Sequence, residues 1–148
     1  MHRQWGELTL GEGETLHQGE YVDIHSLGWY GSNIHRTLLR QRCYFNTNRW
    51  VLSAGDEVVY CHQVPFTMRQ ARLWVNVNFH AGGALVVSVS RDGRDWRPVG
   101  RADKVQNLEV GLPEDLFPTR QVYVRLSTEG AGAYAQVDYY HFRAKVDY

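Results

Sequence analysis

The sequence is short of the features that usually announce a chemistry. It has only two cysteines, Cys43 and Cys61, and no CxxC, so neither a thiolate zinc site nor a dithiol redox motif can be read from it. It has no HExxH, no GxSxG, no P-loop and no GxGxxG, which removes the motif-based routes to zinc hydrolysis, serine hydrolysis and nucleotide binding. No run approaches the ~20 apolar residues of a membrane-spanning helix. No basic-plus-apolar leader marks a signal peptide. A surplus of either charge is also missing, since Lys+Arg and Asp+Glu both number 16. General nucleic-acid affinity rests on a large cationic surface, so neither a nucleic-acid partner nor a membrane span is expected. Arg36, Arg40, Arg42 and Arg49 crowd one segment and read as solvated arginines on strand edges and loops.

What is present is strand pattern and aromatic rings. Aromatics make up 13% of the 148 residues, with five Trp and nine Tyr. A chain of this length buries roughly two thirds of its unfolded surface and needs no metal or disulfide merely to fold. Residues 1–148 read as one domain. Leu73, Val75, Val77 and Phe79 alternate with Trp74, Asn76 and Asn78, and Leu85, Val87 and Val89 alternate in the next run. A side-chain period of two is the signature of a half-buried strand. Gly82-Gly83 between the runs predicts a tight hairpin.

Further strands are expected over residues 5–10, 21–25, 36–45, 57–64, 103–110, 122–126 and 135–146, with Pro65 ending the fourth of these. Residues 112–118 open with one helical turn at most, and Gly130-Ala-Gly132 is read as a turn. In the last strand the apolar positions shift from odd (Val137, Tyr139) to even (Phe142, Ala144, Val146), which predicts a bulge or bend. Ser90-Arg-Asp-Gly-Arg-Asp-Trp96 reads as a structural turn: Asp92 caps amides, Gly93 takes positive φ, and Trp96 packs back on the sheet. About eight to ten strands at this spacing predict an all-β, single-domain jelly-roll β-sandwich of two antiparallel sheets. Cys43 and Cys61 either bridge adjacent strands, closing a loop worth about 3 kcal/mol, or remain buried free thiols; compartment decides between them.

The candidate site lies in loops. Trp29-Tyr30 stands between Gly28 and Gly31, and Trp50 follows Asn46-Thr-Asn-Arg49. A sugar ring has an apolar C–H face and a rim of hydroxyls. It wants a flat ring beneath it and planar amides or guanidinium groups beside it. Asn33, Asn48 and Arg49 are such partners near Trp29, Tyr30 and Trp50; plugging the ends of the core is the alternative for the tryptophans. Seven histidines are scattered without metal-ligand spacing, and no pattern marks two carboxylates as an acid–base couple, so no catalytic residue is assigned.

The order Glu57-Val-Val-Tyr60, Val64-Pro-Phe66, Ala71-Arg-Leu-Trp-Val75, Leu85 through the Ser90–Trp96 turn, Val122-Tyr-Val-Arg-Leu126 and Val137-Asp-Tyr139 resembles galactose-binding-domain-like jelly rolls. That group includes discoidin domains and many carbohydrate-binding modules. The resemblance runs from about residue 57 to 146 and implies a fold and a class of ligand. It implies a non-catalytic carbohydrate-binding domain, with a structural or protein-binding accessory module of a larger secreted protein as the alternative and a small enzyme as a third. The expected location is extracellular, as part of a secreted protein. It also implies a structural calcium, Ca2+, held by Asp138 with an early-strand carboxylate drawn from Glu12, Glu14, Glu20 and Asp23.

Overall fold

Two very long strands dominate the computed structural model, which describes residues 4–5, 8–28, 32 and 35–147. β1 (Gln4–Trp5) and β2 (Leu8–Thr9) pair only with each other. The remaining strands, β3 (Glu14–His17), β4 (Glu20–Ser26), β5 (Leu38–Arg42), β6 (Tyr44–Phe45), β7 (Trp50–Ser53), β8 (Glu57–Ser90), β9 (Arg97–Ala102), β10 (Gln106–Gly111) and β11 (Thr119–Val146), form one nine-stranded sheet. The all-β expectation therefore holds. The only helical piece among the described residues is a 3-10 turn at Glu114–Leu116.

β8 and β11 contain 34 and 28 residues. Their partners run in opposite senses: Val122 lies against His62 and Ser127 against Glu57; Val124 lies against Val89 and Thr128 against Leu85; Tyr140 lies against Val75 and Ala144 against Ala71. The first half of β11 is thus flanked by both ends of β8. The second half has the middle of β8 on one side and β4 and β7 on the other. Thr119 and Val146, at the two ends of β11, both pair with Met68, so the sheet curls back on itself. Val58, Leu85, Val87, Val124 and Leu126 from the first half and Leu73, Val75, Val137, Tyr140 and Phe142 from the second share one buried cluster.

The expected hairpin at Gly82-Gly83 does not form. Residues 68–82 and 84–90 are parts of one strand, and both pair with β11 instead of with each other. The glycines serve a bend in which two backbones nearly touch. A Cβ on Gly82 would lie 2.6 Å from the Gly132 carbonyl oxygen, and one on Gly83 would collide with the Glu129 carbonyl oxygen and the Ala133 methyl. Gly83, Gly130 and Gly132 all have positive φ, which only glycine adopts at no steric cost. Gly130-Ala-Gly132 is accordingly a bend within β11 and not a break. Pro65 likewise does not end its strand: β8 changes its pairing region on β11 across that point.

Local irregularities answer other expectations. Val137 lies against Val77 and Tyr139 against Asn76, which leaves Asp138 as the extra residue of a bulge at the place where the apolar parity shifts. A second register change between Val77 and Phe79 puts Phe79, expected inside, at the surface with 44% exposure. The Ser90–Trp96 turn is built as read. Asp92 Oδ1 accepts from the N–H of Arg94 and Asp95 at 2.8 and 2.9 Å. Gly93 has φ 78°, and Trp96 packs edge-on to Tyr123 with the Arg125 guanidinium 4.5 Å from its ring centre. These amide donors hold the Asp92 carboxyl down at about 2. Both cysteines are free thiols, and burial pushes Cys43 up to about 12.

Replacing Gly83 by alanine meets both a strained φ and backbone atoms that cannot move aside. The expected loss exceeds about 1 kcal/mol, read as a melting temperature several degrees lower. A Gly83→Ala variant that melts with the parent would show that the bend does not need glycine.

Candidate functional site

Of the loop residues singled out from the sequence, Trp29, Tyr30 and Asn33 lie outside the described residues. Trp50 corrects its expectation as a ligand platform. It opens β7, has no exposed surface, packs edge-on to Phe45 and donates its indole N–H to Tyr60 Oη at 2.9 Å. A ring whose one polar atom is bonded inward offers no face to a ligand. Asn48 is a turn residue whose backbone N–H donates to Asn46 Oδ1 at 3.3 Å. Arg49 is partly exposed and donates to Gln136 Oε1 at 3.1 Å. Gln136 in turn donates to Tyr134 Oη at 3.1 Å, and the Tyr134 ring meets exposed Phe79 edge-on.

The densest polar cluster is in the core, and its sequence signal was only scattered residues. Asp23, His25 and His62 have no exposed surface, and Glu14 and Thr37 have almost none. β3, β4, β8 and the turn before β5 aim them at one another. Asp23 Oδ2 accepts from His25 Nε2 at 2.7 Å and from Thr37 Oγ1 at 2.6 Å, with His62 Nδ1 at 3.4 Å. His62 Nε2 meets Tyr140 Oη at 2.6 Å. Because Nδ1 faces the carboxylate, the proton belongs there and the Tyr140 hydroxyl donates to Nε2. Tyr21 donates to Glu14 Oε1 at 2.6 Å, and the Arg36 guanidinium clasps both oxygens of Glu14. Burial presses the His62 pKa down to about 4 and raises those of Tyr60, Tyr21 and Tyr140. The Asp23 carboxyl is nonetheless lowered: the desolvation that opposes this is outweighed by the hydrogen bonds from His25 and Thr37 and the nearby imidazoles.

This cluster is not a nucleophilic triad. Thr37 Oγ1 and His25 Nε2 converge on the same carboxylate oxygen, whereas a triad needs the hydroxyl on the imidazole nitrogen remote from the acid. It does not fit a calcium ion with Asp138 either. Asp138 Oδ1 accepts from Asn76 Nδ2 at 2.8 Å. Glu14 is bound by Arg36, Glu20 approaches Arg143, and Asp23 holds His25 and Thr37 through Oδ2, its Oδ1 being buried without a partner among the described residues. Among the described residues no three His, Cys, Asp or Glu side chains are grouped to hold a metal.

The open surface that brings rings and planar polar groups together is the outer face of the sheet's second half. Successive cross-strand pairs there are Asn76 with Tyr139, Trp74 with His141, and Arg72 with Arg143. On the far side of β8, Trp74 faces Glu109 of β10. On the far side of β11, His141 faces Ile24 of β4. The Trp74 and His141 rings are 4.6 Å apart at 44°, and Tyr139 Oη reaches His141 Nδ1 at 3.1 Å. Trp74, Asn76, Asn78, Tyr139 and His141 are all partly exposed. Asn78 Oδ1 and His141 Nε2 are shielded from solvent and have no hydrogen-bond partner among the described residues, so neither atom is offered to the surface. The signal for this face was the alternation itself, which turns Trp74, Asn76 and Asn78 away from the core. Set against known proteins, the chain matches no family model and no curated protein sequence.

Trp50→Ala is expected to remove about 3–5 kcal/mol of folding stability, measurable by denaturant titration; a near-parent midpoint would contradict its burial. The sign of the acid response follows from His62. In the unfolded chain its pKa is 6.5 and in the folded chain about 4, so between those values the unfolded chain holds the extra proton. Stability therefore falls as pH drops from 6.5 to about 4, by up to about 3 kcal/mol from this residue. The Asp23 contribution is lost only at still lower pH, since its folded pKa lies below the carboxylate value of 3.8. Melting curves at pH 7, 5.5 and 4.5 test this; a flat profile would place His62 in contact with water.

Proposed function

We infer that this chain is a non-catalytic carbohydrate-binding domain, an accessory module of a secreted protein, and that its ligand lies across the outer sheet face at Trp74. The observation that carries the reading is the Trp74–His141–Tyr139 ring row beside Asn76, on strands whose register changes at Asp138 and Asn78. The apolar face of a sugar ring stacks on an indole or phenol, while its hydroxyls pair with planar amides. Strands hold such groups at fixed spacing, so the site is organised before the ligand arrives.

The architecture assigned with this reading is a jelly-roll β-sandwich, with the two halves of the curled sheet as its layers. Its support is the shared core between those halves and the resemblance over residues 57–146 to galactose-binding-domain-like modules. A protein-binding module would favour one broad apolar patch; here the rings are interleaved with asparagine and arginine.

Binding to a glycan array and to insoluble polysaccharides is the direct test. Trp74→Ala is expected to weaken a bound glycan about tenfold or more, from the stacking lost, while the protein stays folded. A Trp74→Ala variant that binds like the parent, or a parent that retains no glycan at all, would defeat the reading.

A further inference from the structure

One cross-strand pair beyond Trp74 and His141, about 7 Å along the strands, the same face turns cationic. Arg72 and Arg143 lie directly opposite one another on β8 and β11, and Lys145 follows opposite Gln70. Like charges in directly opposed positions work against the sheet, so this pair costs stability in the free protein. The carboxylates nearby do not cancel the set. Glu109 accepts from Arg72 at 2.6 Å, but Glu20 comes only within 3.5 Å of Arg143. Lys145 lies opposite Glu20 on β4, but that carboxylate approaches Arg143 instead, and Lys145 makes no ion pair among the described residues. Arg143 Nε is shielded from solvent and has no hydrogen-bond partner there. Glu20, Gln70, Ala71, Arg72, Arg143 and Lys145 line a groove of about 220 Å3.

The geometry points to an acidic glycan: the groove takes the carboxylate of a uronate residue whose polysaccharide continues over Trp74. This rests on the carbohydrate-binding reading above and names its ligand class. A planar two-oxygen group suits the fork formed by the two terminal nitrogens of an arginine, and a charged acceptor makes each such hydrogen bond stronger than a neutral one. The bound anion relieves the Arg72–Arg143 repulsion. The groove is smaller than the roughly 300–1,000 Å3 of a site for a drug-sized molecule, which fits one charged substituent and not a stretch of chain.

Affinity electrophoresis tests this with polygalacturonate, alginate and hyaluronan, each beside its carboxyl-reduced neutral form, and with dextran sulfate and single-stranded DNA as other polyanions. At least one uronate polymer is expected to retard the protein and to lose that effect when its carboxyls are reduced. Arg143→Gln and Lys145→Gln are each expected to weaken that binding about tenfold, the worth of one charge-assisted contact, with the melting temperature retained. Lys145 is exposed, so its variant carries the test if the arginine variant folds poorly. Equal retardation by native and reduced polymers overturns the acidic subsite while the carbohydrate reading stands, as does binding of neutral glycans alone. Equal retardation by dextran sulfate or DNA overturns it in favour of a general polyanion patch. Unchanged binding by both variants overturns it too. No binding to any saccharide removes the carbohydrate reading along with it.

Discussion

The antiparallel pairing of β8 with β11 is the constraint on which the rest of the protein depends. Both strands are far longer than the usual five or six residues, and a straight ribbon of that length would leave most of its apolar side exposed. Bending it at Gly82-Gly83 against Gly130–Gly132 folds the apolar side inward on itself. Every other strand of the large sheet is then added to an edge of this ribbon or to a neighbour of that edge. The bend works because the two backbones come closer than any Cβ permits.

Folding the ribbon closed also encloses polar groups. An isolated buried carboxylate or imidazolium costs several kcal/mol, and this core holds Asp23, Glu14, His25 and His62 together. The cost is limited by mutual pairing: Arg36 neutralises Glu14, neutral His62 bridges Asp23 and Tyr140, and Thr37 adds a hydroxyl donor. Trp50 and Tyr60 join the same interior through one hydrogen bond. Such a network fixes the positions of β3, β4 and the middle of the fold relative to one another. Most of its polar atoms are spent on each other, with Asp23 Oδ1 and His25 Nδ1 left buried and unpartnered among the described residues.

The face opposite this interior carries the exposed rings and planar polar groups. Alternation along β8 sends Leu73, Val75 and Val77 inward and Arg72, Trp74 and Asn76 outward. The same rule along β11 sends Phe142 and Ala144 inward and His141, Arg143 and Lys145 outward. The Asp138 bulge resets the parity so that Tyr139 joins the outward set beside Asn76. Burial and exposure are thus two sides of one pattern, and the stability of the inner side holds the outer rings in place.

The all-β class, the core positions of residues 73–77 and 85–89, the Ser90–Trp96 turn and the parity shift near Asp138 were legible in the sequence, because each depends on neighbours a few residues away. Side-chain alternation, turn amides and glycine φ are local physics. The continuity of β8 and β11 was not legible: Gly82-Gly83 and Gly130–Gly132 look like turns until the two are brought together, more than forty residues apart, and compete for the same space. Trp50 looked like a loop ring for the same reason, since its burial depends on Tyr60 and Phe45 converging on it. The proposed binding face needed the register as well. Trp74 faces outward by its own parity, but only the pairing of β8 with β11 places His141 beside it and sets Arg143 against Arg72. Local sequence decides which way a side chain points; long-range pairing decides what it meets.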